Sequence, residues 1–236
     1  MKMTLMQHFS ELRRRILWTA FVFVLAFAFG WIVSDYVEAF LSAPLMSVWD
    51  DAALLYTEIT DGLMIQFSLA TLVALIITVP VLLWNIWAYI APGLHKNEKQ
   101  FLIPIFLISP LLFVIGAAFA FYVLFPFVFE FFIRINESAT VPTVLLPSIK
   151  GYLAFSIGLL KVFGLAFQLP LILVGLNRIG ILSKQTAMKS RRYVIIGVFV
   201  LAAMLTPPDI LSQVLLAVPM ILLFEISLLF MRDSCA

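Results

Sequence analysis

Two carboxylates stand among cations. Glu11 precedes Arg13, Arg14 and Arg15, and Glu98 lies between His95, Lys96 and Lys99. A carboxylate receives a guanidinium bidentately and an ammonium only as a point charge, so two such acids suit the capture of two arginines. Each also has a plainer reading. Ser10 can cap a helix with Glu11 in its positive first turn, and Glu98 can be a solvated charge in the loop 92–99 or a partner of Lys99. A second group lies inside apolar sequence. Lys161, Gly164 and Gln168 fall on one helical face, and Glu225 is the sole acid of the apolar stretch 210–231. A charge at mid-bilayer costs about 2.5–3.5 kcal/mol. Lys161 therefore requires a wet groove, a stretched reach to Glu225, or snorkelling toward Asp209. This cluster either holds helices together or lines a path for a polar ligand. Finally, Pro207-Pro208-Asp209 followed by Ser212 and Gln213 reads as a helix break and a new start with an acid in its first turn.

Catalytic constellations are missing from the sequence. It has no HExxH, GxSxG, Walker or GxGxxG signature. Its one cysteine, Cys235, and two histidines, His8 and His95, are too few for a disulfide framework or a histidine-ligated metal. The chain is read as a non-enzyme without cofactor or metal.

These residues must be positioned by membrane-spanning helices. Hydrophobic residues make up 64% of the 236, against 12% charged, whereas a soluble domain carries roughly 45–50% apolar and about 25% charged residues. Backbone polar groups in lipid must be satisfied within a helix or a closed barrel. The long unbroken apolar runs lack the alternation of barrel strands, so the fold class is an all-α membrane protein. Spans are predicted at 16–33, 63–91, 101–125, 152–176, 193–206 and 210–231, within a single membrane domain covering 1–236. The first is longer than a signal-peptide core and is expected to remain as an anchor. The last two are short. The 14 residues between Arg192 and Pro207 extend about 21 Å as a helix, less than the hydrocarbon core of about 30 Å. Pro80, Pro104, Pro110, Pro170 and Pro219 lie inside predicted spans and favour kinked helices around a concave face.

Orientation follows from the basic residues. One side of the predicted topology carries 12 Lys and Arg and three acids, a net +9; the other carries Arg134, Lys150 and nine acids, a net −7. The basic side is cytoplasmic, which places both termini there.

The residues also resemble a known family, the TatC subunit of the twin-arginine protein translocase. The resemblance is carried by His8-Phe9-Ser10-Glu11-Leu12-Arg13, Ser42-Ala43-Pro44-Leu45, Ala88-Tyr89-Ile90-Ala91-Pro92-Gly93-Leu94 with Glu98, and Phe119-Ala120-Phe121 with Phe125-Pro126. Its longest stretch is Leu205-Thr206-Pro207-Pro208-Asp209, continuing through Ser212-Gln213 and Pro219-Met220 to Leu223-Phe224-Glu225. The resemblance implies a receptor for twin-arginine signal peptides on folded cargo, and an assembly platform for TatA-like and TatB-like single-span partners. It implies transport driven by the proton-motive force across a bacterial cytoplasmic membrane, with self-association and no nucleic acid. It further implies that Glu11 and Glu98 form the twin-arginine site beside Arg13, Leu94 and Lys96. Pro44 and Asp209 then matter for transport, and Thr206 and Gln213 contact a partner's transmembrane helix. Lys161, Gln168 and Glu225 are expected along the groove. One departure stands out: the family commonly has Phe-Glu-x-Pro where this chain has Phe167-Gln168-Leu169-Pro170. The competing reading is an ion-coupled secondary transporter using Lys161, Gln168 and Glu225, although no half-to-half repeat is visible.

Overall fold

The computed structural model describes residues 5–48, 54–90, 96–137, 147–205 and 210–232. Ten α-helices account for most of them: α1 Leu5–Ile32, α2 Ser34–Val48, α3 Asp61–Ile90, α4 Lys96–Phe119, α5 Phe125–Glu137, α6 Ile149–Ala166, α7 Leu169–Arg178, α8 Lys184–Lys189, α9 Arg191–Leu205 and α10 Ile210–Phe230. The described residues contain no strand, only an isolated parallel bridge between Leu55 and Ser148. The all-α membrane fold read from the sequence is the fold observed.

Five helical stretches among the described residues are long and apolar enough to cross a bilayer: Ser10–Ile32, Asp61–Ile86, Leu107–Arg134, Ile149–Arg178 and Gln213–Phe230. The segment 193–206 expected to be a further span lies, through Leu205, in α9; with 15 residues α9 is not among the five. Large apolar side chains along the outward face of α1, including Ile16, Trp18, Phe21, Val24 and Leu25, are exposed. On a water-soluble protein this would be a destabilising patch; in lipid it is the ordinary outer surface.

Local chemistry explains where the helices begin and break. Asp61 heads α3, and its Oδ2 accepts from Thr57 N at 3.0 Å, Thr57 Oγ1 at 2.9 Å and Glu58 N at 2.8 Å. Ser148 caps α6 by accepting from Gly151 N. The helical runs continue through Pro44, Pro80, Pro104, Pro110 and Pro219. Between α4 and α5 lies one wide π-helical turn, Ala120–Leu124, where Phe125 N donates to Ala120 O. Pro126 follows it, and a proline cannot donate to the carbonyl four residues earlier; a wider turn at that point shifts the bonding register. The predicted span 152–176 is interrupted at Phe167–Gln168, between α6 and α7, with Pro170 in the first turn of α7.

The main core brings together Leu41 and Leu45 of α2, Leu69 and Leu72 of α3, Phe125 and Val128 of α5, Leu159 and Phe163 of α6, and Leu216 and Met220 of α10. Van der Waals contact is the driving term between helices in lipid, so small residues set how close they come. A Cβ at Gly116 of α4 would lie 2.6 Å from Phe163 O, and one at Gly164 of α6 would lie 2.7 Å from the Phe113 ring. The two glycines seat α4 and α6 against each other from both sides. A smaller cluster of Ala187, Phe224, Leu228 and Met231 joins α8 to the end of α10.

The acidic end of the bundle is tied across the chain. Leu55 N donates to Pro147 O and Ile149 N to Leu55 O, both at 3.1 Å. Lys150 Nζ lies 2.9 Å from Asp61 Oδ1 and 3.3 Å from Glu58 Oε2. Asp61 is fully buried, so this ammonium balances a carboxylate that would otherwise be isolated from water.

Candidate binding site

Glu11 lies well inside α1, six residues after its first residue Leu5. The helix-end reading of Ser10 and Glu11 is therefore replaced: the helix starts earlier, and Glu11 projects from its interior. Four residues on, Arg15 returns to it. Arg15 Nη2 and Nε both donate to Glu11 Oε1, at 2.5 and 3.1 Å. The same Nη2 donates to Ala88 O of α3 at 3.2 Å. Ala88 is in the last turn of α3, where carbonyls lack helical donors and carry partial negative charge, so the guanidinium also serves as a cap. One turn deeper, Thr19 Oγ1 donates to Arg15 O and accepts from Asn85 Nδ2 of α3, each at 2.9 Å. Two polar links thus fix α1 against α3 just below Glu11.

The second oxygen of Glu11, Oε2, is buried and, among the described residues, has no hydrogen-bond partner. The Glu11 side chain as a whole retains 24% exposure. It borders an open cavity of about 1080 Å³ lined by Arg13, Arg14, Arg15, Trp18 and Asn85 among others. Arg13 and Arg14 are exposed. The arrangement is a carboxylate with spare accepting capacity at the mouth of a cationic, partly apolar cavity. It suits a ligand that brings a guanidinium and apolar side chains.

Glu98 is the third residue of α4 rather than part of a loop, a position where the helix dipole favours an acid. Lys96 opens the same helix. The side chains of Lys96 and Glu98 fall outside the description, and Leu94, Thr206 and Asp209 lie outside the described residues. Arg13 stands on α1 two residues from Glu11. Pro44 is buried within α2, and Gln213 is half-buried in the first turns of α10.

The intramembrane cluster is rearranged relative to expectation. Gln168 is buried, and its amide is used at both ends: Oε1 accepts from Ser109 Oγ at 2.6 Å, and Nε2 donates to Ser109 O at 2.8 Å. It does not face a wet groove. It ties α4 to the break between α6 and α7, and Gly164 on the same face packs on α4 as well. Glu225 is not paired with Lys161; its Oε2 accepts from Arg191 Nη2 at 2.7 Å. Arg191 is the first residue of α9, so Glu225 belongs to the basic end of the bundle and not to mid-membrane. Lys161 is half-buried, and its side chain borders a small cleft of about 100 Å³ with Leu72, Ile76, Val79, Phe113 and Ala117. Among the described residues no hydrogen bond or ion pair engages its ammonium. No group of histidine, cysteine or acidic residues among the described ones is placed to hold a metal.

Sequence reasoning singled out Glu11 but not Arg15 as its partner, although the four-residue spacing was a readable signal. It also passed over Asn85 and Ser109, each a polar residue in an apolar run, and Arg191.

Three comparisons bear on this geometry. The family described as Sec-independent protein translocase protein (TatC) matches residues 7–219. The chain is 39% identical over 230 residues to TatC of Haemophilus influenzae, spanning 97% of this chain and 88% of that one. It is 37% identical over 230 residues to TatC of Escherichia coli, with the same coverage of 97% and 88%. It is 35% identical over 236 residues to TatCy of Bacillus subtilis, spanning 99% and 90%. A crystal structure of the twin arginine translocase receptor TatC superposes with a TM-score of 0.85 at 32% identity, covering 94% of this chain and 97% of that one. A second crystal structure of that receptor, in DDM, gives 0.87 at 32% identity, covering 95% and 99%.

Proposed function

The chain belongs to the TatC family, and from that premise we propose that it is the signal-peptide receptor and assembly platform of a twin-arginine translocase, exporting folded proteins with the proton-motive force. The observation that carries this reading is Glu11: one oxygen engaged by Arg15, the other without a partner among the described residues, at the rim of a large cationic cavity. Glu98 supplies the second carboxylate, with Arg13, Leu94 and Lys96 alongside. Pro44 and Asp209 serve transport, and Thr206 and Gln213 receive the transmembrane helix of a TatA-like or TatB-like partner. The chain forms one domain over residues 1–236, crosses a bacterial cytoplasmic membrane six times with α9 as the short fifth crossing, and keeps both termini in the cytoplasm.

The transporter reading loses its site. Two of its three residues, Gln168 and Glu225, are already engaged by Ser109 and Arg191.

The test is a titration of the purified chain with a twin-arginine signal peptide and its twin-lysine counterpart. The wild type is expected to prefer the arginine peptide. Glu11→Gln is expected to weaken that binding by about 1.5–3 kcal/mol per charged hydrogen bond lost. Equal binding of the two peptides, or wild-type binding by Glu11→Gln, would remove the assignment.

A further inference from the structure

We infer that Arg15 is a specificity-determining residue: a resident guanidinium that neutralises Glu11 until a ligand guanidinium takes its place, and that thereby excludes lysine. The inference rests on the reading of Glu11 as the acceptor of a signal arginine and adds a residue and a mechanism to it.

Three observations carry it. First, Arg15 places two donor nitrogens, Nε and Nη2, on a single oxygen, Oε1, and turns the same Nη2 toward Ala88 O. The stronger arrangement of guanidinium and carboxylate uses two parallel bonds, one to each oxygen. Arg15 therefore holds Glu11 in a weaker geometry than an incoming arginine can adopt. Second, Oε2 is buried and has no partner among the described residues, while the side chain keeps 24% exposure. A ligand reaches both oxygens only when the carboxylate turns toward the cavity, which breaks the present contact with Arg15. Third, Arg15 has somewhere to go. It already donates to the end of α3, whose terminal carbonyls are natural partners for a cation, and its backbone is held by the Thr19–Asn85 link.

Exchange of one guanidinium for another is thus nearly balanced in charge and gains in geometry. Exchange for an ammonium is balanced in charge but loses the fork and must strip water from a more strongly hydrated ion. With Arg15 in place, charge alone wins nothing and geometry decides. Without it, Glu11 loses the ion-pair partner it has among the described residues, and any cation gains by approaching.

The experiment uses the full-length protein in lipid nanodiscs, titrated with a fluorescent twin-arginine peptide and its twin-lysine counterpart. The readout is the ratio of the two dissociation constants. Arg15→Gln is expected to tighten twin-lysine binding by about tenfold, with the twin-arginine value changing by less than about threefold, so that the ratio collapses. Arg15→Lys, which keeps the charge but donates from one nitrogen, is expected to give an intermediate ratio. It is also the variant to be read should Arg15→Gln fail to fold. A ratio unchanged from wild type in either variant overturns the inference. So does a parallel loss of affinity for both peptides, the signature of a residue that merely braces Glu11. The wild-type and Glu11→Gln titrations separate the two levels: if they fail, the receptor reading falls and this inference with it; if they hold while the ratio stays fixed, only the role of Arg15 is lost.

Discussion

At Asn85 a single amide decides how firmly the helix that carries Glu11 is set on α3. Its Nδ2 donates to Thr19 Oγ1, which in turn donates to Arg15 O, so the link ends on the residue that holds Glu11. Asn85→Leu removes the donor while keeping the volume. The expected loss is about 0.5–1.5 kcal/mol, the net worth of one hydrogen bond, read as a lower midpoint in thermal unfolding of the purified protein. Peptide binding at saturating temperature margins is expected to weaken less than in Glu11→Gln, because the carboxylate itself remains. A variant as stable as wild type would show that apolar packing alone sets α1 on α3. Residue-level reading of the sequence picked out a polar type that is out of place for its neighbours, as with Glu11 among arginines. It missed the near partner Arg15, four residues on, and had no means of finding partners distant along the chain. Gln168 was legible as unusual, but Ser109 lies 59 positions away, and neither spacing nor composition joins them. The same holds for Glu225 and Arg191, separated by 34.

Helices rather than residues explain why Gln168 is tolerated. α6 ends at Ala166 and α7 begins at Leu169, so the backbone around Gln168 is already leaving regular helix where Pro170 withholds a donor. A buried amide with both ends satisfied fastens this break to α4. Gln168→Leu would leave Ser109 Oγ without its partner in a buried site. The expected cost is about 1–3 kcal/mol of bundle stability, with export of a twin-arginine reporter reduced only in proportion to the folded protein. Normal stability with abolished export would instead make Gln168 a transport residue. Sequence patterns located this element well, since a proline in an apolar run predicts interruption. The predicted span 152–176 lies within the single apolar stretch Ile149–Arg178, and hydropathy does not register the two-residue break inside it. Sequence patterns placed Glu98 in a loop for a related reason: the polar run Lys96-Asn97-Glu98-Lys99 resembles a turn, yet it forms the start of α4.

Over the whole molecule, charge is sorted by end, and the packing agrees with the sorting. Arg15 caps α3 beside Glu11, and Arg191 pairs with Glu225, at the end where α1 begins and α10 finishes. Lys150, Glu58 and Asp61 form the opposite network, between the start of α3 and the start of α6. Helix direction makes this a strong constraint. α3 and α6 both start at the acidic end, so each must finish at the basic one. The excess of Lys and Arg at one end biases a membrane chain toward insertion with that end in the cytoplasm, the orientation proposed above. In a Cys235→Ser background, a cysteine replacing the fully exposed Ile59 is expected to react with a membrane-impermeant maleimide added to intact cells. One replacing the exposed Gln185 of α8 is expected to react only after the membrane is opened. The pair also tests the number of crossings. Gln185 precedes α9 and α10, so a further cysteine at the exposed Arg232 reports whether those two short helices cross out and back. Protection at both 185 and 232 requires an even number of crossings between them, as the six-span arrangement demands. Labelling at 232 with protection at 185 would leave α9 as a helix lying within one face of the bundle and α10 as the fifth and last crossing. The proposed signal site at Glu11 would then share its side of the membrane with α8 but not with the end of α10.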